Sequence, residues 1–298
     1  MSRSVGTADA GILIKLSLTT QLLSGLRRLA RSHLAMAGLI IVILMTGMGI
    51  FAPLVAPYDP NAIDYRSLLA APSSRHLLGT DDLGRDILSR VIFGARVSLG
   101  VSLSSVFVSA VIGTILGLAA GYLGGVVDEV MMRILDSVMA LPSLVLALTI
   151  ATVLGPGFVN AIIAITVVLL PIFARIVRGQ VLSVKRNEYV LAAISIGVPR
   201  ALLVFRHILP NVLNPVIVQA ALGVGYAIIL ESSLSFIGLG AQPPTATWGS
   251  MVQIGFQYFE LAPWFVFAPA AIIFVTVLGS LMLGDGLQDF LDPASHAD

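Results

Sequence analysis

The chain has no cysteine. Disulfides, thiolate metal centres and cysteine nucleophiles are therefore excluded. It is also poor in charge: Asp, Glu, Lys and Arg make up 11% of its 298 residues, against roughly a quarter in a soluble domain. Lysine is scarcest, with Lys15 and Lys185 alone. A phosphate-cradling loop needs a lysine directly after a glycine and before Ser or Thr. Lys15 follows Ile14 and Lys185 follows Val184, so this chain carries no such loop. The formal net charge of +1 argues against nucleic acid as a partner. What the chain does have is apolar surface. Hydrophobic residues are 57% of it and the mean hydropathy is +0.98. That leaves too little polar surface to cover a water-soluble globule, so the expected solvent is the bilayer. The start does not read as a cleavable signal: Met1–Thr20 is weakly apolar, Lys15 interrupts it and no small-residue cleavage pattern follows. Gly11–Leu26 fits either an interfacial helix or a tail without fixed structure.

Six apolar runs approach the roughly 20 residues that a spanning helix needs. They are Leu34–Ala56, Val97–Leu123, Ser137–Leu154, Phe158–Val177, Val212–Leu230 and Trp264–Gly284. All six are read as helices, because an open strand leaves backbone groups unpaired in lipid. The predicted fold class is an all-α polytopic membrane protein. Its segments are a cytoplasmic tail (1–33), a first span (34–56), an extracytoplasmic segment (57–96), a five-helix core (97–284) and a cytoplasmic tail (285–298). A cytoplasmic loop, 178–211, lies within the core. With both termini inside, the inner segments hold Arg3, Lys15, Arg27, Arg28, Arg31, Arg133, Arg175, Arg178, Lys185, Arg186, Arg200 and Arg206. The outer ones hold Arg66, Arg75, Arg85, Arg90 and Arg96, and 232–263 has neither Lys nor Arg. This asymmetry sets the expected orientation. Segment 57–96 also carries Asp59, Asp64, Asp81, Asp82 and Asp86, which predicts a folded segment with internal ion pairs. The alternating charge Asp81, Asp82, Arg85, Asp86 is read as a salt-bridge network at helical spacing, not a metal site.

Within the second run, Ser98, Ser102, Ser105, Ser109, Gly113, Gly117 and Gly121 recur at intervals of three and four. One helix face therefore carries only small side chains, which suits close helix packing in lipid. A pore-lining role for the serines is the alternative. Pro142 and Pro171 predict kinks in the third and fourth runs. Asp136 is assigned to structure, either paired with Arg133 or lying at the interface.

Between the fourth and fifth runs lies a polar interruption, EYVLAAISIGVPRALLVFRHILPN, Glu188–Asn211. It reads as a short helix, a turn and a second helix. Tyr189, Val190, Ala193 and Ile194 share a face at helical spacing. Gly197 supplies a positive φ, and Pro199 fits the first turn of the next helix. Ala192 and Ala193 permit a partner's close approach, while Arg200, Arg206 and His207 hold the loop at the charged interface. An ordinary connector and a docking loop both fit these residues.

The loop resembles the cytoplasmic motif of bacterial ABC-transporter permease subunits: Glu-Ala-Ala, three residues, Gly, nine residues, Ile, one residue, Leu-Pro. Ala192, Ala193, Gly197, Leu209 and Pro210 match in register. Leu191 stands where the motif has Glu, which removes one polar contact expected with the ATPase, and His207 stands where it has Ile. LLGTDDLGRDILSRVIFGARVSL (77–99), LSFIGLGAQPPTATWGSM (234–251) and LGDGLQDFLDP (283–293) resemble further signatures of the peptide branch. Gln288 and Leu281 depart from its usual Arg and Asn. The likeness covers about 34–293 and is strongest to the second permease of dipeptide, oligopeptide and nickel importers.

That resemblance implies a type I importer fold with no catalytic residue, no metal site and no cofactor in this chain. ATP and Mg²⁺ would be bound by two partner ATPase subunits. The remaining partners would be a second, homologous permease, an extracytoplasmic substrate-binding protein and the lipid of a bacterial plasma membrane. The implied coupling loop comprises Tyr189, Ala192, Ala193, Gly197, Arg200, His207, Leu209 and Pro210. In the family the fifth helix flanks the translocation path, so Asn214, Gln219, Tyr226 and Glu231 become path candidates. Gln219 and Tyr226, seven apart, share a face and suit either path lining or hydrogen bonding between helices. For Glu231 the readings are a peptide's amino group, a partner subunit, or water. Gly238, Gly240, Pro243, Pro244, Trp248 and Gly249 shape a loop that either receives the binding protein or is architectural.

Two other classes fit poorly. An intramembrane aspartyl protease needs two carboxylates sharing a proton. Asp59 and Asp285 follow opposite ends of the bundle, about 30 Å of hydrocarbon apart. An ion-coupled secondary transporter would show internal repeats and broken helices with buried charges, and no repeat or mid-span charge is apparent.

Overall fold

The computed structural model describes residues 32–291. Most of the expected tail 1–33, with Gly11–Leu26, lies outside the described residues, as does the end of the expected tail 285–298. Helix α1, His33–Ile50, starts at Ser32, whose hydroxyl accepts from the Ala35 amide at 3.3 Å. The first expected run does not continue unbroken to Ala56. It breaks at Phe51 and resumes as one turn, α2 (Ala52–Val55), with a proline in its first positions, where a missing N–H costs nothing.

Helix α3, Ile87–Leu123, has 37 residues and is roughly 55 Å long at 1.5 Å per residue. It starts ten residues before the expected Val97, because Asp86 caps it: the carboxylate accepts from the Ser89 amide at 2.8 Å. Arg90 and Arg96 therefore belong to the helix, not to a separate segment.

The third expected span, Ser137–Leu154, is two helices. α4 (Gly125–Met139) and α5 (Ser143–Leu154) meet at 91°. Pro142 is the cap of α5 and not a kink within a span, because proline disfavours helical geometry in the residue before it. α5 alone, 12 residues or about 18 Å, is too short to cross a bilayer. Among the described residues, 5 helices are long and apolar enough to cross, or 6 if the bent pair forms one span. By contrast α6, Phe158–Val184, runs unbroken through Pro171.

After α6 come α7 (Glu188–Ser195) and α8 (Arg200–Leu203). α8 leads through a π-turn, Val204–Ile208, into α9 (Leu209–Phe236). α10 (Trp248–Gln257) precedes α11 (Pro263–Leu291). α11 overruns the expected boundary at Gly284, so the first part of the expected tail is helical. No strand occurs among the described residues, only an isolated bridge between Thr80 and Asp86.

Small residues set the packing. A Cβ on Gly113 would stand 2.6 Å from Phe173 Cβ, one on Gly117 2.5 Å from the Ala174 carbonyl oxygen, and one on Gly121 2.8 Å from Val181 Cβ. The stripe on α3 is thus the seam with α6. Ser102, Ser105 and Ser109 are buried and bond backwards within the helix, whereas buried Ser98 accepts from the Trp248 amide. Ser109 Oγ donates to Ser105 O at 2.7 Å and lies 3.1 Å from Thr166 O across the seam. α11 meets α1 in the same way, through Gly38, Gly279 and Gly286. Ile165, Phe173, Val177, Leu203, Ile208 and Val212 form one apolar core joining α6 to α8, the π-turn and the start of α9.

Candidate functional site: a helical elbow and a groove at opposite ends of α9

The elbow 188–210 is a helix, a turn and a second helix. Gly197 has φ +79°. Its amide donates to Ile194 O at 3.0 Å and the Val198 amide donates to Ala193 O at 3.1 Å. That pair of bonds closes a helix by a glycine in left-handed geometry. A Cβ at Gly197 would touch nothing within 4 Å, so the glycine is needed for its dihedral and not for space. Pro199 takes the cap position of α8, one residue before its first turn.

The helix closing the elbow is irregular for a readable reason. Pro210 has no N–H for the Arg206 carbonyl, and the Leu209 amide reaches back five residues to Val204 O. A π-turn results, a feature that concentrates at functional sites. The Asn211 side-chain amide donates to His207 O at 2.6 Å.

The shared face expected for Tyr189, Val190, Ala193 and Ile194 is split. Val190 and Ala193 are buried, and with Leu203 and Ile208 they root the elbow in the core. Ala193 is thus turned into the core, whereas Ala192 is exposed. Tyr189, Leu191, Ile194, Ile196, Leu202 and Phe205 are exposed, with Ile196 81% and Phe205 68% accessible. Arg200 and Arg206 are exposed beside them. Ile196, Leu202 and Phe205 carry no motif of their own in the sequence. Their signal was available: apolar side chains left over once the inward positions are assigned.

α9 runs from this elbow for about 40 Å. Asn214 and Tyr226 are exposed and Gln219 is half-buried. Glu231 does not join them. It is 1% exposed, and its carboxylate accepts from Ser235 Oγ at 2.7 Å, so it neither faces water nor lies at the surface of the chain. Near this end a groove of about 390 Å³ opens between Leu144, Ile229, Ser233, Phe236, Val252 and Ile273. The short helix α10 forms one wall and was not anticipated. Its signal was Thr247-x-x-Ser250, which makes a reciprocal capping box. Trp248 is fully buried. Its indole donates to Val91 O at 2.9 Å and its amide to Ser98 Oγ at 3.2 Å. Gly240 and Gly249 lie against Ser235 and Ser232 with no room for a Cβ. Trp248, Gly240 and Gly249 are architectural.

Segment 57–86 is folded by ion pairs, as its charge predicts, but Asp81, Asp82, Arg85 and Asp86 lie on a turn and not on a helix. Buried Asp81 holds Arg85 at 2.6 Å and Arg90 at 3.3 Å, and accepts from the Leu83 and Arg85 amides at 2.9 Å. Burial, then the neighbouring Asp81 charge, pushes the Asp82 carboxyl up. The Ser67 hydroxyl holds the Asp64 carboxyl down. Asp136 pairs with Arg175 and not Arg133. Asp128, unremarked in the sequence, takes Arg178 in two bonds of 2.6 and 2.7 Å, fastening α4 to α6.

This combination of a glycine-seamed helical bundle, an elbow with an apolar outer face and a groove at the far end defines a membrane subunit of a transporter. The fold matches an amino acid ABC transporter with histidines (TM-score 0.52, 19% identity, 66% of this chain and 92% of that one). It also matches the MetNI methionine ABC transporter in an inward-facing form (TM-score 0.50, 19% identity, 65% and 94%). In sequence, residues 113–296 match the family described as binding-protein-dependent transport system inner membrane component. Residues 20–72 match the N-terminal TM domain of oligopeptide transport permease C. The chain belongs to this family of inner membrane components. It is 45% identical to the dipeptide transport system permease protein DppC of Alkalihalophilus pseudofirmus, over 90% of this chain and 88% of that one. It is 44% identical to the probable D,D-dipeptide transport system permease protein DdpC of Escherichia coli (strain K12), over 88% of each. It is 46% identical to the glutathione transport system permease protein GsiD of Escherichia coli O6:K15:H31, over 90% and 88%.

Proposed function

We propose that this chain is the second permease subunit of an ATP-driven importer of di- and oligopeptides. It forms half of the path, with a homologous permease supplying the other half. Two ABC ATPase subunits dock on the elbow 188–210 from the cytoplasm, and a substrate-binding protein delivers cargo at the opposite end of α9. ATP and Mg²⁺ belong to the ATPases, and this chain performs no chemistry of its own. Both termini lie in the cytoplasm of a bacterial cell, a reading supported by the excess of Arg on the elbow side.

One observation carries the reading: an elbow anchored in the core by Val190, Ala193, Leu203 and Ile208 that exposes Leu191, Ile194, Ile196, Leu202 and Phe205. A rooted element with an apolar outer surface suits a protein partner. The path through α9 carries Asn214, Gln219 and Tyr226, and the apolar groove at its far end fits a peptide whose amide groups stay hydrated while a side chain is buried. Phe205→Asp tests the reading. The variant should insert into the membrane and pair with the second permease while ATPase co-purification falls about tenfold or more, as for a central aromatic contact. Full recovery of the ATPases with Phe205→Asp would refute docking at this face.

A further inference from the structure

Lys185 is the sole lysine among the described residues, and it sits where three elements meet. It is the C-cap of α6, its amide donating to Val181 O at 3.0 Å. Its side chain crosses to α3, where Nζ donates to Gly121 O at 3.2 Å and Tyr122 O at 2.9 Å. The ammonium also stands 5.3 Å from the centre of the Tyr122 ring. Those carbonyls belong to the last turn of α3. Gly124 and Gly125, both at positive φ, turn the chain away there, so the helix itself supplies few donors to them. A cation at this end also meets the negative pole of the helix.

Only Arg186 and Asn187 separate Lys185 from α7, and both are held in turns, their amides bonded to Ser183 O at 3.0 Å and Val184 O at 3.1 Å. α3 and α6 are already locked by Gly113, Gly117 and Gly121. The path of contacts from the end of α3, through the Lys185 side chain and along residues 185–187 to the start of the elbow, is therefore short and hydrogen-bonded at each step. We propose that Lys185 is a positioning residue for coupling: by clasping the C-terminal carbonyls of α3, it fixes the angle of the elbow to the helix bundle, so that force on α7 moves α3 and α6 together. The proposal rests on the elbow being the ATPase docking site. It assigns Lys185 no contact with ATPase or cargo.

The test uses the assembled complex in proteoliposomes, with its own binding protein added at saturation. ATP hydrolysis is read with and without that protein. Lys185→Met keeps an apolar stem beside Tyr122 and removes the charge and donors. It should assemble and keep the basal rate, while stimulation by the binding protein falls about fivefold or more, the lower range of coupling between distant sites. Lys185→Arg retains charge and donors and should restore stimulation to within about twofold. Normal stimulation with Lys185→Met, an equal loss with Lys185→Arg, or failure of Lys185→Met to assemble would each overturn the positioning role. Failure of the underlying reading looks different: the unaltered complex would bind no ATPase at the elbow or show no stimulation at all.

Discussion

Gly117→Ala should loosen the bundle although alanine is the better helix former. The added Cβ would lie 2.5 Å from the Ala174 carbonyl oxygen, 2.7 Å from Val177 Cβ and 3.0 Å from the Arg178 amide nitrogen. Two of these are backbone atoms and the third is a Cβ, so no side chain can rotate away. α3 and α6 must separate by roughly 1 Å to restore ordinary contact, and overpacking of this kind costs about 1–3 kcal/mol. Replacing a helical glycine by alanine returns about 1 kcal/mol. Gly179→Ala provides the matched control: it lies on the exposed side of α6 with nothing within 4 Å of its added Cβ. The propensity gain cancels between the two variants, leaving the clash. Thermal unfolding of both in the same detergent should place Gly117→Ala about 2–12 °C below Gly179→Ala, taking roughly 2–4 °C per kcal/mol for a chain of this size. Equal midpoints would mean that the α3–α6 seam is not packed as described.

Gly197→Val should insert normally, because no atom obstructs its side chain, yet a β-branched residue is a steric outlier at φ +79°. Uptake per ATP hydrolysed should drop, and unchanged uptake would remove the elbow from the mechanism. Asp81→Asn leaves buried Arg85 and Arg90 without their shared counter-charge. It should destabilise segment 57–86 by about 3–5 kcal/mol, seen as rapid proteolysis between residues 60 and 86. Neutralising Asp82 should act in the opposite direction. Its folded carboxyl is raised above 3.8 by burial, so ionising it opposes folding at neutral pH. Asp82→Asn should therefore raise the denaturation midpoint at pH 7. That gain should shrink as pH falls through the raised folded value and vanish below about 3.8, where Asp82 is protonated in both states. A gain that grew on acidification would contradict this.

The helical elbow was legible because its signals are local. Gly197 needs a positive φ, and Pro199 and Pro210 cannot donate, whatever surrounds them. The stripe from Ser98 to Gly121 was legible as a seam because helical spacing alone places it on one face. Which helix fills that seam was not, since Phe173, Ala174 and Val181 carry no mark of their partner. Helix ends were misjudged where a polar side chain outweighed hydropathy. Asp86 starts α3 ten residues early by capping it, and the Ala140–Pro142 break divides a run whose hydropathy is continuous.

Low charge and apolar runs determined, without any coordinates, that this chain is a helical membrane protein, because backbone groups in lipid must bond within their own segment. Short motifs were sufficient to indicate its family. Tertiary structure alone decided which side of each helix is free. Ala193 turned inward and Phe205 outward, Glu231 was sealed against Ser235, and Lys185 closed on the end of α3. Burial and pairing depend on neighbours distant in sequence, and side-chain spacing along one helix does not specify them.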